Sequence, residues 1–398
     1  MVWPPMVSAQ FHFTEEQDQF RDMVRRFLVD TSPTTEVRRL MQTDAGYDAA
    51  VWQRLARELG LTGLTIEEKH GGAGFGMVDV CIAMEEMGRA LLCAPFLASS
   101  VLAAHAIALV ASEEDAGRLL PSIAAGEVIA TLAITEPDGR PGVDAIALPA
   151  ERTGDGFVLN GRKHFVLDGC SADVLLVAAR SPGSTGSDGL SLFEVAPDAA
   201  GVTRRALTTL DPTRKQASIE FDGVQARLLG RVDEAGPGLV RTLDIAAIAL
   251  ANEMVGGAAR LLEDTLAYTK IRMQFGRSIA SFQAIKHRCA EMLLQVELAK
   301  SAAYYAAEAM DAESDEATYL ASLAKAGASE AYLHTAIEAI QLHGGIGFTF
   351  DQDTHLWFKR AKSSEVMFGD PAWHRERMMQ ALIVKERASS EAQMGQPA

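Results

Sequence analysis

Apolar residues recur at helical spacing from Phe13 to about Leu28. Thr14, with Gln17 three residues later, has the form of an N-terminal capping box. The same period returns over 49–59, 78–90 and 99–109. A glycine-rich break, His70-Gly71-Gly72-Ala73-Gly74-Phe75-Gly76, separates the 49–59 and 78–90 segments. No strand pattern precedes it and no Gly-Lys-Ser/Thr follows, so it reads as a flexible turn between helices and not as a phosphate loop. From Ile129 the period shortens. Residues 129–134, 174–179, 190–195 and 217–221 read as short strands, and Phe157-Val158-Leu159-Asn160-Gly161 reads as a strand entering an Asn-Gly hairpin turn. After Gly236-Pro237-Gly238 helical spacing resumes over 239–273, 281–310, 316–342 and 371–388, and 389–398 reads as a frayed end. The pattern predicts an α+β chain. Its parts are an N-terminal helical domain (1–127), a small antiparallel β domain (128–235) and a C-terminal four-helix bundle (236–398). Tyr304-Tyr305 and the alanine-rich stretches 299–309 and 321–328 suit close helix packing, within the subunit or against a neighbour.

Composition narrows the classes. With 398 residues, 48% hydrophobic and 23% charged, the chain has the make-up of a folded protein of several domains or layers. A net charge of −16 repels nucleic acid and anionic lipid, so neither is an expected partner, and an anionic ligand would need local cations or helix N-termini. Cys81, Cys93, Cys170 and Cys289 have no metal-type spacing. They read as buried free thiols in a reducing cytoplasm, and no metal site is expected. The opening MVWPPMVSAQ lacks the pattern of a secretory signal, and apolar runs such as 245–251 are too short to span a bilayer.

Several motifs occur in a fixed order: Gly71-Gly72, Glu85-Glu86-Met87-Gly88-Arg89, Ile134-Thr135-Glu136-Pro137 and Asn160-Gly161-Arg162-Lys163. They are followed by Arg272-Met273-Gln274-Phe275-Gly276-Arg277 with Ile279, Phe282 and Gln283, and by Gln341-Leu342-His343-Gly344-Gly345-Ile346-Gly347. Together, over residues 12–388, they resemble the acyl-CoA dehydrogenase family. The resemblance implies FAD as cofactor, an acyl-CoA thioester as substrate, a tetramer of homologous subunits and an electron-transfer flavoprotein as acceptor. It maps Arg272, Phe275, Gln283, Gln341, Gly344 and Gly345 to the set that grips the ADP half of a neighbouring subunit's FAD, and Thr135 to the flavin-ring side. The chemistry suits the roles. Arginine meets pyrophosphate with charge-assisted hydrogen bonds, and glycines let backbone N–H groups approach phosphate.

The departures fall on the catalytic side. The family removes an α-proton with a glutamate while a hydride passes to the flavin. Matching Lys359-Arg360-Ala361-Lys362 and Gly369 to the family pattern puts Phe368 at the usual glutamate position. At the alternative position, in Leu243-Asp244-Ile245-Ala246-Ala247, Ala246 stands for the base and Ala247 for an arginine. Glu365, Glu253 and Asp370 are the fallback carboxylates, Glu365 first among them. On the flavin side a serine is not evident in 135–144, Phe165 stands for a tryptophan and Leu167 for a hydroxyl-bearing threonine. The expectation is a subunit of an α2β2 heteromer, as among bacterial steroid side-chain dehydrogenases. It would supply the ADP clamp while a homologous partner supplies the base. The alternatives are an active homo-oligomer with a displaced base, a flavin-free acyl-CoA-binding scaffold, and a flavin oxidase variant.

Overall fold

The structure, a computed structural model, describes residues 12–394 except Asp155, with side chains as far as Ile383. The opening stretch 1–11 and the end of the tail, 395–398, lie outside the described residues. Helix α1 (Glu15–Thr31) starts with the expected capping box: Gln17 N donates to Thr14 Oγ1 and Thr14 N donates to Gln17 Oε1, both at 3.2 Å. Helices α2 (Thr34–Leu40), α3 (Ala49–Arg57) and α4 (Met77–Ala90) follow. A π-helical stretch, Leu97–Ala103, runs into α5 (Ala104–Val110), and α6 (Glu113–Ala124) closes the N-terminal part. The glycine-rich break is a hydrogen-bonded turn, where a flexible one was expected. Ala73 N, Gly74 N and Phe75 N donate to the carbonyls of Gly63, Ile66 and Leu64, and a Cβ on Gly72 would sit 2.0 Å from the Ile66 carbonyl oxygen.

The sheet contains β1 (Ala130–Ala133), β2 (Ala150–Thr153), β3 (Gly156–Leu167), β4 (Val174–Arg180), β5 (Leu190–Val195), β6 (Val202–Ala206) and β7 (Gln216–Leu229). The strand order is β1-β4-β5-β7-β3-β2, with β6 also on β7. All pairs are antiparallel except β1–β4, which run parallel. The expected hairpin at Asn160-Gly161 does not form. Strand β3 continues through it, bonded to β2 on one edge and β7 on the other, and the pair is absorbed as a register shift between Leu159 and Gly161. Gly161 takes φ 144°, and Asn160 Oδ1 accepts from Gly223 N at 2.7 Å. Two ladders outweigh a local turn preference, and the Asn-Gly pair serves as a bulge.

The C-terminal part contains α7 (Gly236–Ile271), a two-stranded hairpin of β8 (Met273–Gln274) and β9 (Arg277–Ser278), then α8 (Gln283–Asp311), α9 (Ala317–His343), α10 (Thr354–Val366) and α11 (Pro371–Met394). Helix α10 was not visible in the periodicity: its 13 residues bury parts of several faces against α7 and α9, so no single apolar stripe marks it. Helix α7 is the spine of the fold. It is long and apolar enough to cross a membrane, but 89% of its most apolar window is buried in the protein, as suits a core helix. It meets α4 through glycines: a Cβ on Gly88 would lie 1.9 Å from the Glu253 carbonyl oxygen, and one on Gly256 1.8 Å from that of Glu85. One apolar core runs continuously from α1 and α4 through the inner face of the sheet to α7 and α9. Cys81, Cys93 and Cys289 are buried as expected. Cys170 is exposed, because it lies on the polar turn that follows β3.

Candidate active site

A cleft of about 700 Å³ opens where the sheet meets the helical bundle. Its sheet side holds Thr135, just past β1, and His164, Phe165 and Leu167 of β3. The opposite wall is Leu243 of α7, Lys362, Ser363 and Val366 of α10, and the turn Met367-Phe368-Gly369. The sheet side is fixed from below. His164 N donates to the Thr135 carbonyl at 2.9 Å. The buried Glu136 carboxylate accepts from Ala147 N, Leu148 N and Lys163 Nζ at 2.7–2.9 Å, pinning the 137–149 loop whose residues Gly139–Gly142 rim the cleft. Lys163 is fully buried. Burial pulls its ammonium down to about 8 although Glu136 holds the proton on. Sequence reasoning missed this pair. Its signal was strand alternation, which places Lys163 on the same face as Phe157 and Leu159.

Two bulky residues bordering the cleft sit in the left-handed backbone region: Phe165 at φ 55° and Phe368 at φ 58°. Such conformations are costly for aromatic side chains and persist only where surrounding contacts hold them. His164 offers a polar edge. Its Nδ1 has no hydrogen-bond partner, and burial with the nearby Arg162 charge lowers its pKa, so the ring is neutral near pH 7.

The carboxylates raised as fallback bases are placed elsewhere. Glu365 is absent from the residues lining the cleft, and its carboxylate pairs with Nζ of Lys362, which does line it. Asp370 caps α11, accepting from Trp373 N at 2.8 Å. Glu253 lies behind the cleft, bonded to Arg214 and Arg360. Burial opposes its charge, but the two guanidiniums hold its carboxyl below the usual range. Ala246 and Ala247 are sealed in the core. Asp211 is the carboxylate among the cleft-lining residues, and it is engaged by Arg360 Nε at 2.7 Å and by Thr213 N at 3.0 Å.

Arg272, Phe275, Gln283, Gln341, Gly344 and Gly345 come together at one end of the helical bundle, away from the cleft. Arg272 follows the last turn of α7. Phe275-Gly276 form the β8–β9 turn with φ 53° and 77°, and Phe275 is 91% exposed. Gln283 opens α8, and Gln341 and Gly344 end α9. Tyr268 stacks on His343 with ring centroids 4.2 Å apart and donates to its carbonyl, tying the ends of α7 and α9 together. Nothing lies within 4 Å of where a Cβ would stand on Gly344 or Gly345, and Arg272 makes no ion pair among the described residues. This end is therefore an open cradle of backbone and cation, which fits a dinucleotide's phosphates. None of the six residues lines the cleft, so Thr135 belongs to a different place in this chain. Around the cradle Ile271, Met273, Phe348 and Phe350 are exposed.

Three family models match in succession: the N-terminal domain of acyl-CoA dehydrogenase over residues 14–127, its middle domain over 131–224 and its C-terminal domain over 238–383. Acyl-CoA dehydrogenase IpdE2 of Mycobacterium tuberculosis is 32% identical over 357 residues, spanning 90% of this chain and 94% of the relative. The caffeyl-CoA reductase-Etf complex subunit CarC of Acetobacterium woodii is 30% identical over 348 residues, 85% of this chain and 90% of that one. Among solved structures, a single-substitution variant of the Tcur3481-Tcur3483 steroid ACAD superposes with a TM-score of 0.85 at 30% identity. The match covers 94% of this chain and 99% of that chain.

Proposed function

Because the chain belongs to the acyl-CoA dehydrogenase family, we propose that it works as the clamp-donating subunit of a heteromeric FAD-dependent acyl-CoA dehydrogenase whose homologous partner carries the catalytic base. The cofactor is FAD. Bound FAD supplies the two-electron acceptor for α,β-dehydrogenation of an acyl-CoA thioester. The residues of this chain do the rest of what can be assigned to it. Arg272 with the Gly344-Gly345 backbone would hold pyrophosphate, and Phe275, Gln283 and Gln341 would flank the adenosine side. Thr135, His164 and Phe165 would border the ring site of the chain's own cleft.

The observation that carries the proposal is the contrast between the two places. The cradle is exposed and intact, while the cleft presents a phenyl group, Phe368, where the family's pattern has its base. A phenyl side chain accepts no proton, and the cleft's one carboxylate among the described residues, Asp211, is engaged by Arg360 and Thr213, so on this reading the base comes from the homologous partner. A displaced base at Glu365 finds no support in the geometry, since Glu365 is not among the cleft-lining residues and its carboxylate is engaged by Lys362. A flavin-free scaffold would leave the exposed Arg272 and the open glycine cradle without a purpose. The two-part designation of the similar steroid ACAD is consistent with a heteromer and a bulky acyl group, and the CarC complex is consistent with an electron-transfer flavoprotein as acceptor. The site of action would be the cytoplasm.

Bound flavin per chain, read by visible absorbance, tests the proposal. The protein purified on its own should carry little. Co-expressed with a homologous subunit that has the glutamate, it should carry about one flavin for every two chains and be bleached by acyl-CoA. Near-stoichiometric flavin with acyl-CoA-dependent bleaching in the lone chain would overturn it. Glu365→Gln should leave flavin content and turnover of the co-purified enzyme unchanged, and loss of turnover would reinstate Glu365 as the base.

A further inference from the structure

The wall of the cleft that carries Phe368 is an awkward piece of chain. Helix α10 ends at Val366, Phe368 stands at φ 58° and Gly369 at φ 110°. A turn with two successive residues in the left-handed region needs anchoring from outside. The side chain that reaches it is Lys325, from the middle of α9, which is fully buried. Its Nζ donates to the Glu365 carbonyl at 3.1 Å, to the Gly369 carbonyl at 3.0 Å and to Ser329 Oγ at 3.1 Å. Ser329 Oγ donates in turn to the Lys325 carbonyl at 2.7 Å, which leaves its lone pairs for the ammonium.

We propose that Lys325 is a positioning residue for the cleft: its ammonium bridges the last turn of α10 to the Gly369 carbonyl and so sets where the Met367-Phe368-Gly369 wall stands. Three observations support this independently. The Glu365 carbonyl belongs to the C-terminal turn of a helix, where carbonyls lack helical partners and a cation is favourable. An ammonium has three N–H groups and here meets three acceptors, whereas a neutral amine could serve only two. No carboxylate lies within ion-pair distance among the described residues, so the cation is buried against neutral groups, an arrangement that costs stability unless each N–H is used. The position of the wall is sensed by Trp373 of α11. A Cβ on Gly369 would lie 2.4 Å from its ring, and one on Gly142, on the opposite rim, 3.2 Å from it.

The charged groups around Lys325 are few. Burial pulls its pKa down to about 7, while the Glu365 and Asp370 carboxylates favour the proton. From α11, His374 faces it, with Arg377 on the same helix turned to Asp244 and Ser322. Burial, with the Lys325 and Arg377 charges, pushes His374 down to about 3, so this ring stays neutral at working pH. Loss of a proton near neutral pH therefore falls on Lys325, and it orphans one of the three acceptors.

The inference rests on the reading of this cleft as the ring site only for its consequence in the enzyme, and its test uses no flavin. Acrylamide quenching of Trp373, isolated as the difference between the wild-type chain and Trp373→Phe, is followed against pH. Quenching should step up as pH rises through about 7. In Lys325→Met the step should vanish, with the high-pH level present throughout. In Ser329→Ala, where the ammonium loses an acceptor, the midpoint should move to lower pH. Wild-type quenching on the acid side in a folded Lys325→Met chain, or survival of the step in it, overturns the proposal. Should that variant fail to fold, an unmoved midpoint in Ser329→Ala overturns it equally.

Discussion

Between the cleft-lining Asp211 and the core behind it, two arginines and two carboxylates fill a space that the sequence presents as unrelated residues. Arg360 bonds Asp211 and Glu253, and Arg214 bonds Glu253. All four side chains are nearly or wholly inaccessible. Removing one charge from such a set strands its opposite in low dielectric, so Glu253→Gln should destabilise the chain by about 3–5 kcal/mol, read as a lower urea midpoint at unchanged slope. In the sequence Arg360 serves only to anchor the match that places Phe368. Its role in this cluster was not legible, because its partners are 107 and 149 residues away. Cleft-lining residues present a similar contrast. Phe368 and Thr135 could be placed from motifs, whereas His164 carries no motif and is notable only through its unpartnered Nδ1.

At the scale of elements, the junction of α1, α4 and α8 holds a second buried charge cluster, in which Glu85 meets Arg21, Lys300 and the Tyr304 hydroxyl. Burial alone would raise the Glu85 carboxyl, but Lys300 and Arg21 outweigh it and bring it down to about 2. A carboxyl lowered in the fold contributes stability above its unfolded pKa and loses it as pH falls through the folded value. Glu85 should therefore supply about 3 kcal/mol at neutral pH, lost between the ordinary carboxylate range and about 2. Glu85→Gln should lower the melting temperature at pH 7 and flatten its decline in that acid window. Next to it, Gly256 lets α7 touch the α4 backbone. Gly256→Ala should force the helices apart at a cost of at least about 1–3 kcal/mol, visible by calorimetry. Helices with one apolar stripe and a cap were readable from sequence, α1 down to its capping box. The Asn-Gly pair misled, because β3 is bonded on both edges and its neighbours are set by β2 and β7, far from any local signal.

At the scale of the whole molecule, a chain of net charge −16 exposes the Arg272 and Gly344-Gly345 end of the bundle, proposed above to hold a dinucleotide, and keeps its cleft at another place. An anionic cofactor approaching such a surface meets repulsion everywhere except near local cations, so Arg272 must contribute more here than on a neutral protein. Its side chain makes no ion pair among the described residues, and Phe275 beside it is almost wholly exposed. Neither can be contributing much to the fold of this subunit. That separates two consequences which a buried residue would mix. Arg272→Ala should leave the melting temperature of the isolated chain within about 0.5 kcal/mol of wild type in stability terms. In the co-assembled enzyme it should remove a charge-assisted contact of about 1.5–3 kcal/mol, so flavin should be held roughly 10- to 150-fold more weakly and be lost on dilution or gel filtration. A fall in the stability of the lone chain would mean that Arg272 serves the fold. Flavin retention unchanged in the assembly would mean that the phosphates are held elsewhere, and that the exposed end of the bundle, with Ile271, Met273, Phe348 and Phe350, serves subunit contact alone.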